Sequence, residues 1–297
     1  MSPKTITPSL SPSPVFVPGR VRWWQWLTVL SLDAPLVAVA WQASFARIAV
    51  DASALRAHHS LLLGAAVWLA YAADRWIEGW RLTEQTVHTQ RHYFFLRWRW
   101  PAFVAWLAVL GCALALAVRE LSAREWAVSL ALLGPVFAYL LSHQFLHRNH
   151  PWRVPKELCV AAIITLGTVV YPAANFAGPL LPFVGPAALF FLLALNNCLL
   201  ISDWEREVDI HHGQTSLALR YVSARRLAAA LPWAVLGLAL AYVFSHRGPA
   251  QTSALCAAAS AFLLSLIARA EPRLGRERAR VLADLALLTP LLALALA

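Results

Sequence analysis

Charge is what this 297-residue chain has least of. Asp, Glu, Lys and Arg make up 13% of it, against a hydrophobic share of 60%. Soluble domains are about a quarter charged and roughly half apolar, so a soluble fold and a disordered chain are both excluded, in line with a mean hydropathy of +0.58. Cysteine is scarce too. Cys112, Cys159, Cys198 and Cys256 lie in apolar stretches without CxxC spacing, which excludes a disulfide-stapled secreted module and leaves four small buried hydrophobes. No polar segment is long enough to fold separately. Period-two alternation is missing, so a membrane β-barrel is not expected. The remaining class is an all-α, polytopic membrane protein.

Residues 1–19 are rich in Pro and Ser and hold no long apolar core, so they do not read as a secretory signal. They are expected to form a disordered cytoplasmic tail ahead of a single membrane domain, 20–297. A crossing helix needs about 20 mostly apolar residues. Nine segments qualify: 24–46, 58–77, 101–118, 125–145, 157–174, 183–202, 226–244, 250–269 and 279–296. Pro135, Pro232 and Pro290 are expected to kink their helices. Trp23, Trp24, Trp26, Trp98, Trp100, Trp126 and Trp152 sit near span ends, where interfacial aromatics gather.

The formal net charge of +10 raises the question of a nucleic-acid partner. The distribution answers it. Of the 25 Lys and Arg, 20 fall in the N-terminus and in the loops and span ends after spans 2, 4, 6 and 8. That asymmetry places the N-terminus in the cytoplasm and accounts for the charge by topology. No nucleic acid is expected, and the setting is the bilayer of the inner membrane.

Seven of the 15 carboxylates fall between Asp74 and Glu84 or between Asp203 and Asp209. These two clusters follow span 2 and span 6, both on the cytoplasmic side, as a weak internal repeat would place them. Asp74 and Glu78 share a helix face, as do Glu205 and Asp209. Asp203 and Glu207 form a competing pair, so the register of the second cluster is open. Hard oxygen ligands in such pairs suit Mg²⁺, which binds through a few carboxylates together with substrate phosphates. The plainer alternative is a pair of solvated helix ends with arginine partners.

These motifs resemble the UbiA superfamily of intramembrane prenyltransferases. The second cluster, Glu205-Arg206-Glu207-Val208-Asp209 followed by Gly213 and Ser216, resembles that family's DxxxDxxxGxxT motif, with Glu for the first Asp and Ser for Thr. The first is reduced: Asp74 and Glu78 match DxxxD, but Ala70 and Tyr71 stand where the family has Asn-Asp. Thr89-Gln90-Arg91-His92 is similar to its Arg-His element, displaced downstream. Tyr139 and Lys156 resemble its tyrosine and basic residue around the loop after span 4.

The resemblance implies nine helices and Mg²⁺-dependent transfer of an isoprenyl group from an isoprenyl diphosphate to a lipophilic, usually aromatic, acceptor, with the active-site mouth facing the cytoplasm. Asp74, Glu78, Glu205 and Asp209 would be the catalytic metal ligands, with Glu207 a further ligand or support. Arg91 and Lys156 would contact diphosphate, against the alternative of positive-inside anchors. Tyr139 would face the developing cation or simply sit at the interface, and Asn197 would support the second motif. Losing the Asn-Asp pair removes one carboxylate from the metal set, which keeps a non-catalytic lipid-binding scaffold as a second reading.

Asp33 and Asp284 stand apart, each inside a predicted span, where an ionisable group is a functional hypothesis by default. They keep a transporter in view as a third reading. His143, His147 and His150 with His88, His92, His211 and His212 lack the HxxHH repeats of di-iron oxygenases and read as hydrated loop.

Overall fold

A computed structural model describes residues 19–49, 55–83, 86–142, 155–211 and 216–295. The expected tail, the loop carrying His143, His147 and His150, and Gly213 lie outside the described residues. After a 3-10 turn, Trp23–Gln25, come α1 (Trp26–Val29), α2 (Asp33–Ile48), α3 (Ala57–Arg81), α4 (Gln90–Arg97), α5 (Arg99–Glu120), α6 (Ala123–Leu141) and α7 (Lys156–Ala174). Then follow α8 (Leu181–Trp204), α9 (Arg206–His211), α10 (Leu217–Arg220), α11 (Val222–Ser245), α12 (Pro249–Leu274), α13 (Arg276–Ala286) and α14 (Thr289–Ala295). The protein is a polytopic helical bundle, and no strand occurs among the described residues.

Six helices are long and apolar enough to cross a membrane: α5, α6, α7, α8, α11 and α12. The bent pair of α1 with α2 makes a seventh if taken as one span. Helix α3 has the length, but Asp74, Arg75 and Glu78 interrupt its apolar run.

Two predicted spans are broken rather than continuous. The first bends by 78° between Val29 and Asp33, where Ser31 takes a positive φ of 56°. The last divides at Leu287–Leu288 into α13 and α14, and Pro290 helps to start α14 instead of kinking a longer helix. A break frees carbonyls that the bilayer cannot solvate. Tryptophan side chains take up one at each break: Trp68 Nε1 donates to Leu30 O at 3.0 Å and Trp41 Nε1 to Leu287 O at 2.8 Å.

The core lies where α2, α8, α11 and α12 meet. Trp41 stacks on Phe190 with ring centroids 4.5 Å apart, and Phe45 meets the same ring edge-on. Helices α11 and α12 close on each other through Ala228, Ala239, Ala254, Ala257 and Ala261, all buried. Small side chains let membrane helices approach closely. Helices α5 and α6 instead turn nearly all of their surface outward, as lipid-facing helices would.

Candidate functional site

One end of the bundle gathers the charged groups. It is formed by the C-terminal turns of α3, by α4, by the first turn of α7, by the junction of α8 with α9, and by the first turns of α13. Thr89 caps α4, its side chain accepting from His92 N. This turns Arg91 and His92 inward, and they are 7% and 1% exposed. Helix α8 ends at Trp204 and the chain bends at Glu205 before α9, although Asp209 N still bonds to Glu205 O at 2.9 Å. The bend decides the register of the second cluster. Glu205 and Asp209 are buried, while Asp203 pairs with the exposed Arg225 at 3.4 Å and Glu207 is exposed.

Cations meet the buried carboxylates directly. Glu205 accepts from Arg91 Nη2 at 2.7 Å and from Arg280 Nη1 at 2.7 and 2.9 Å. Glu78 accepts from Arg75 Nη1 at 3.0 Å and lies 2.9 Å from His92 Nε2. Lys156 Nζ stands 3.6 Å from Asp209. The two clusters are parts of one electrostatic unit: Arg75, beside Asp74 and Glu78, also acts on Glu205, and Lys156 acts on Glu78 as well as Asp209.

Burial and partners set the titration of the groups at this end. Burial raises the Glu205 carboxyl, but the Arg91 guanidinium outweighs it, aided by Arg75, and holds it below the ordinary value. For Asp209 burial prevails over Lys156 and the carboxyl is raised. Burial pushes His92 down to about 4 despite its bond to Glu78. His92 is therefore neutral at pH 7. Thr89 Oγ1 accepts from His92 N and lies 2.6 Å from His92 Nδ1, while Nε2 faces Glu78 at 2.9 Å and Arg75 Nη1 at 3.1 Å.

Several buried polar atoms at this end have no hydrogen-bond partner. They are Arg91 Nε and Nη1 and Arg280 Nε among donors, and among acceptors Glu157 Oε2 and Asp209 Oδ2, whose ion pair with Lys156 is 3.6 Å long. Such orphans are uncommon in folded proteins and ask for an explanation. Guanidinium N–H groups suit phosphate oxygens, and the orphaned oxygens suit a hard divalent cation. The donor set thus fits an anion held together with a metal ion. A cavity of about 40 Å³ lies against Arg91, Glu205, Arg276 and Arg280.

Of the residues expected from sequence, Asp74, Glu78, Arg91, Lys156, Glu205 and Asp209 converge here. Glu207 does not, since it faces outward from α9. Tyr139 lies near the end of α6, which packs on α7. Asn197 donates to Asp284 Oδ1 at 2.8 Å rather than to the second cluster. Sequence reasoning missed Arg75, Arg280 and Glu157, whose Oε1 accepts from Ser202 Oγ and Leu217 N. Arg75 and Glu157 adjoin residues that were singled out. Arg280 gave no signal, because only the packing of α13 against α8 brings it to Glu205.

A scan against protein-family models finds no match, and neither does a search of curated proteins. Among solved structures, the chain is similar to a UbiA homolog from Archaeoglobus fulgidus bound to DMAPP and Mg²⁺. The TM-score is 0.56 at 13% identity, over 92% of this chain and 100% of that one. The bundle expected from the motif resemblance is thus present, and over nearly its whole length this chain has the UbiA fold.

Proposed function

We propose that this protein is a UbiA-type intramembrane prenyltransferase. It binds an isoprenyl diphosphate with Mg²⁺ at the charged end and transfers the isoprenyl group to a lipophilic, aromatic acceptor. The observation that carries the reading is the set of buried, partnerless N–H groups on Arg91 and Arg280 beside the carboxylates of Glu205 and Asp209. The likeness to a UbiA homolog bound to DMAPP and Mg²⁺ supports it. In the multi-pass topology read from the basic loops, this end faces the cytoplasm from the inner membrane.

Asp74, Glu78, Glu205 and Asp209 would hold the metal, which supplies charge neutralisation on the leaving diphosphate. Arg91, Arg280 and Lys156 would bind phosphate oxygens. Arg91 and Arg280, which pair with Glu205, would turn to phosphate oxygens and leave the Glu205 carboxylate able to hold the metal. The apolar tail lies among the helices, where water is excluded from the allylic cation. Tyr139 would face that cation.

The test uses the full chain in nanodiscs with Mg²⁺, pyrophosphate and labelled isoprenyl diphosphates plus candidate acceptors. Mg²⁺-dependent thermal stabilisation by pyrophosphate and transfer of label are the expected results. Neither, with an intact fold, overturns the reading.

A second reading is a lipid-binding scaffold that has lost the chemistry. The pairing of Glu205 with two arginines and of Glu78 with Arg75 and His92 favours it. On that reading pyrophosphate leaves the melting temperature unchanged while a copurified lipid is found by mass spectrometry.

A further inference from the structure

Asp33 and Asp284, absorbed by no part of the charged end, lie at the two places where predicted spans break. Asp33 is the first residue of α2, just past the 78° bend, and its Oδ1 accepts from Ala34 N at 2.9 Å. Asp284 is three residues short of the C-cap of α13 at Leu287. The two carboxyl groups are within hydrogen-bonding reach of each other. Asp284 Oδ1 also accepts from Asn197 Nδ2 at 2.8 Å, and Asn197 Oδ1 is buried without a partner.

Helix register fixes the depth of this group. Asp284 follows Arg280 by four residues on α13, about 6 Å at 1.5 Å per residue. Asn197 precedes Glu205 by eight residues on α8, about 12 Å, and Tyr71 precedes Glu78 by seven on α3, about 10 Å. Asp33, Asp284, Asn197 and Tyr71 therefore form a polar layer one to two turns beneath the groups assigned to diphosphate. Tyr71 from α3, Cys198 from α8 and Arg91 from α4 are the other ionisable groups acting on the pair. Asp33, Asp284 and Tyr71 are each half-buried.

Prenyl transfer to an acceptor carbon or oxygen has to dispose of a proton. The bond from the prenyl C1 to the diphosphate oxygen breaks, and its electron pair leaves with the diphosphate. The acceptor supplies the pair for the new bond to C1, and must then lose a proton. Two kinds of base are on hand for it: the departing diphosphate, and a carboxylate on the opposite face of C1, from which the acceptor attacks.

We infer that the Asp33–Asp284 carboxyl pair, placed by Asn197 beneath the diphosphate site, is the group that takes the proton from the prenyl acceptor. A carboxylate oxygen of the pair takes the acceptor's proton, and release of that proton to water restores it. The inference rests on the prenyltransferase reading.

The test is kinetic, on the full chain in nanodiscs. Asp33→Asn and Asp284→Asn should each keep the Mg²⁺–pyrophosphate thermal shift and the KM for the isoprenyl diphosphate. Their transfer rate should fall at least about 100-fold, the scale of losing a positioned base. Transfer at the wild-type rate in either variant overturns the inference. Failure of the wild type itself to bind pyrophosphate is a different result: it overturns the diphosphate reading and with it the role given to the pair.

Discussion

Arg280 reaches across from α13 to place one guanidinium nitrogen 2.7 and 2.9 Å from the two carboxylate oxygens of Glu205 at the end of α8. With Arg91 on the other side, the carboxylate is held by two cations from elements distant in sequence. Removing one member of a buried ion pair costs far more than the pair's net worth, because it strands the remaining charge. Glu205→Gln should therefore lower stability by about 3 kcal/mol. Arg280→Met should cost less, since Arg91 remains. Chemical denaturation in detergent micelles measures both, and equal effects would contradict this account.

Arg91 supplies two buried donors without partners, so the same geometry predicts its role in binding. Charge-assisted hydrogen bonds contribute about 1.5–3 kcal/mol each. Arg91→Ala should weaken pyrophosphate binding by at least about tenfold. Arg225→Ala, which removes an exposed partner of Asp203, should leave it unchanged. Calorimetric titration with Mg²⁺ present reads both constants.

His92 should make stability depend on pH. The unfolded side chain titrates near 6.5, whereas burial holds the folded one down to about 4. Between those values the unfolded chain binds a proton that the folded chain does not. The His92 contribution is thus fully present above pH 6.5 and is lost as pH falls toward 4, at about 1.4 kcal/mol per pH unit. His92→Gln should flatten the melting-temperature profile over that window. Thr89→Ala should cost about 1 kcal/mol through the lost α4 cap.

The indole bonds that close the two span breaks are open to test as well. Trp41→Phe keeps an aromatic ring against Phe190 but leaves Leu287 O without its donor. An unsatisfied buried carbonyl costs about 1–3 kcal/mol. Trp68→Phe should cost less, because Trp68 is half-buried while Trp41 is fully buried. Thermal unfolding of the two variants gives the order.

Much of the bundle was legible in the sequence because apolar runs of bilayer length dictate helices wherever they occur. The predicted segments over 101–118, 125–145, 157–174, 183–202, 226–244 and 250–269 overlie α5, α6, α7, α8, α11 and α12. The first and last segments misled, for hydropathy sees no difference between a continuous helix and one whose freed carbonyls are capped by Trp68 or Trp41. The burial of Glu78 beside Arg75 and His92 was not legible in the spacing of Asp74 and Glu78, nor was the choice of Glu205 and Asp209 over Asp203 and Glu207. A turn at Glu205 rotates α9 relative to α8, and side-chain spacing carries no record of that turn.

Low charge returns as the dividing line. Hydropathy and spacing alone establish a helical membrane protein whose few carboxylates are concentrated after two spans, because burial in lipid tolerates charge only where it is used. Which cation meets which carboxylate is set by helix packing. Arg280 and Glu205 are 75 residues apart, as Asp33 and Asp284 are held together from opposite ends of the chain, and contacts of that kind come from helix packing rather than from any local pattern.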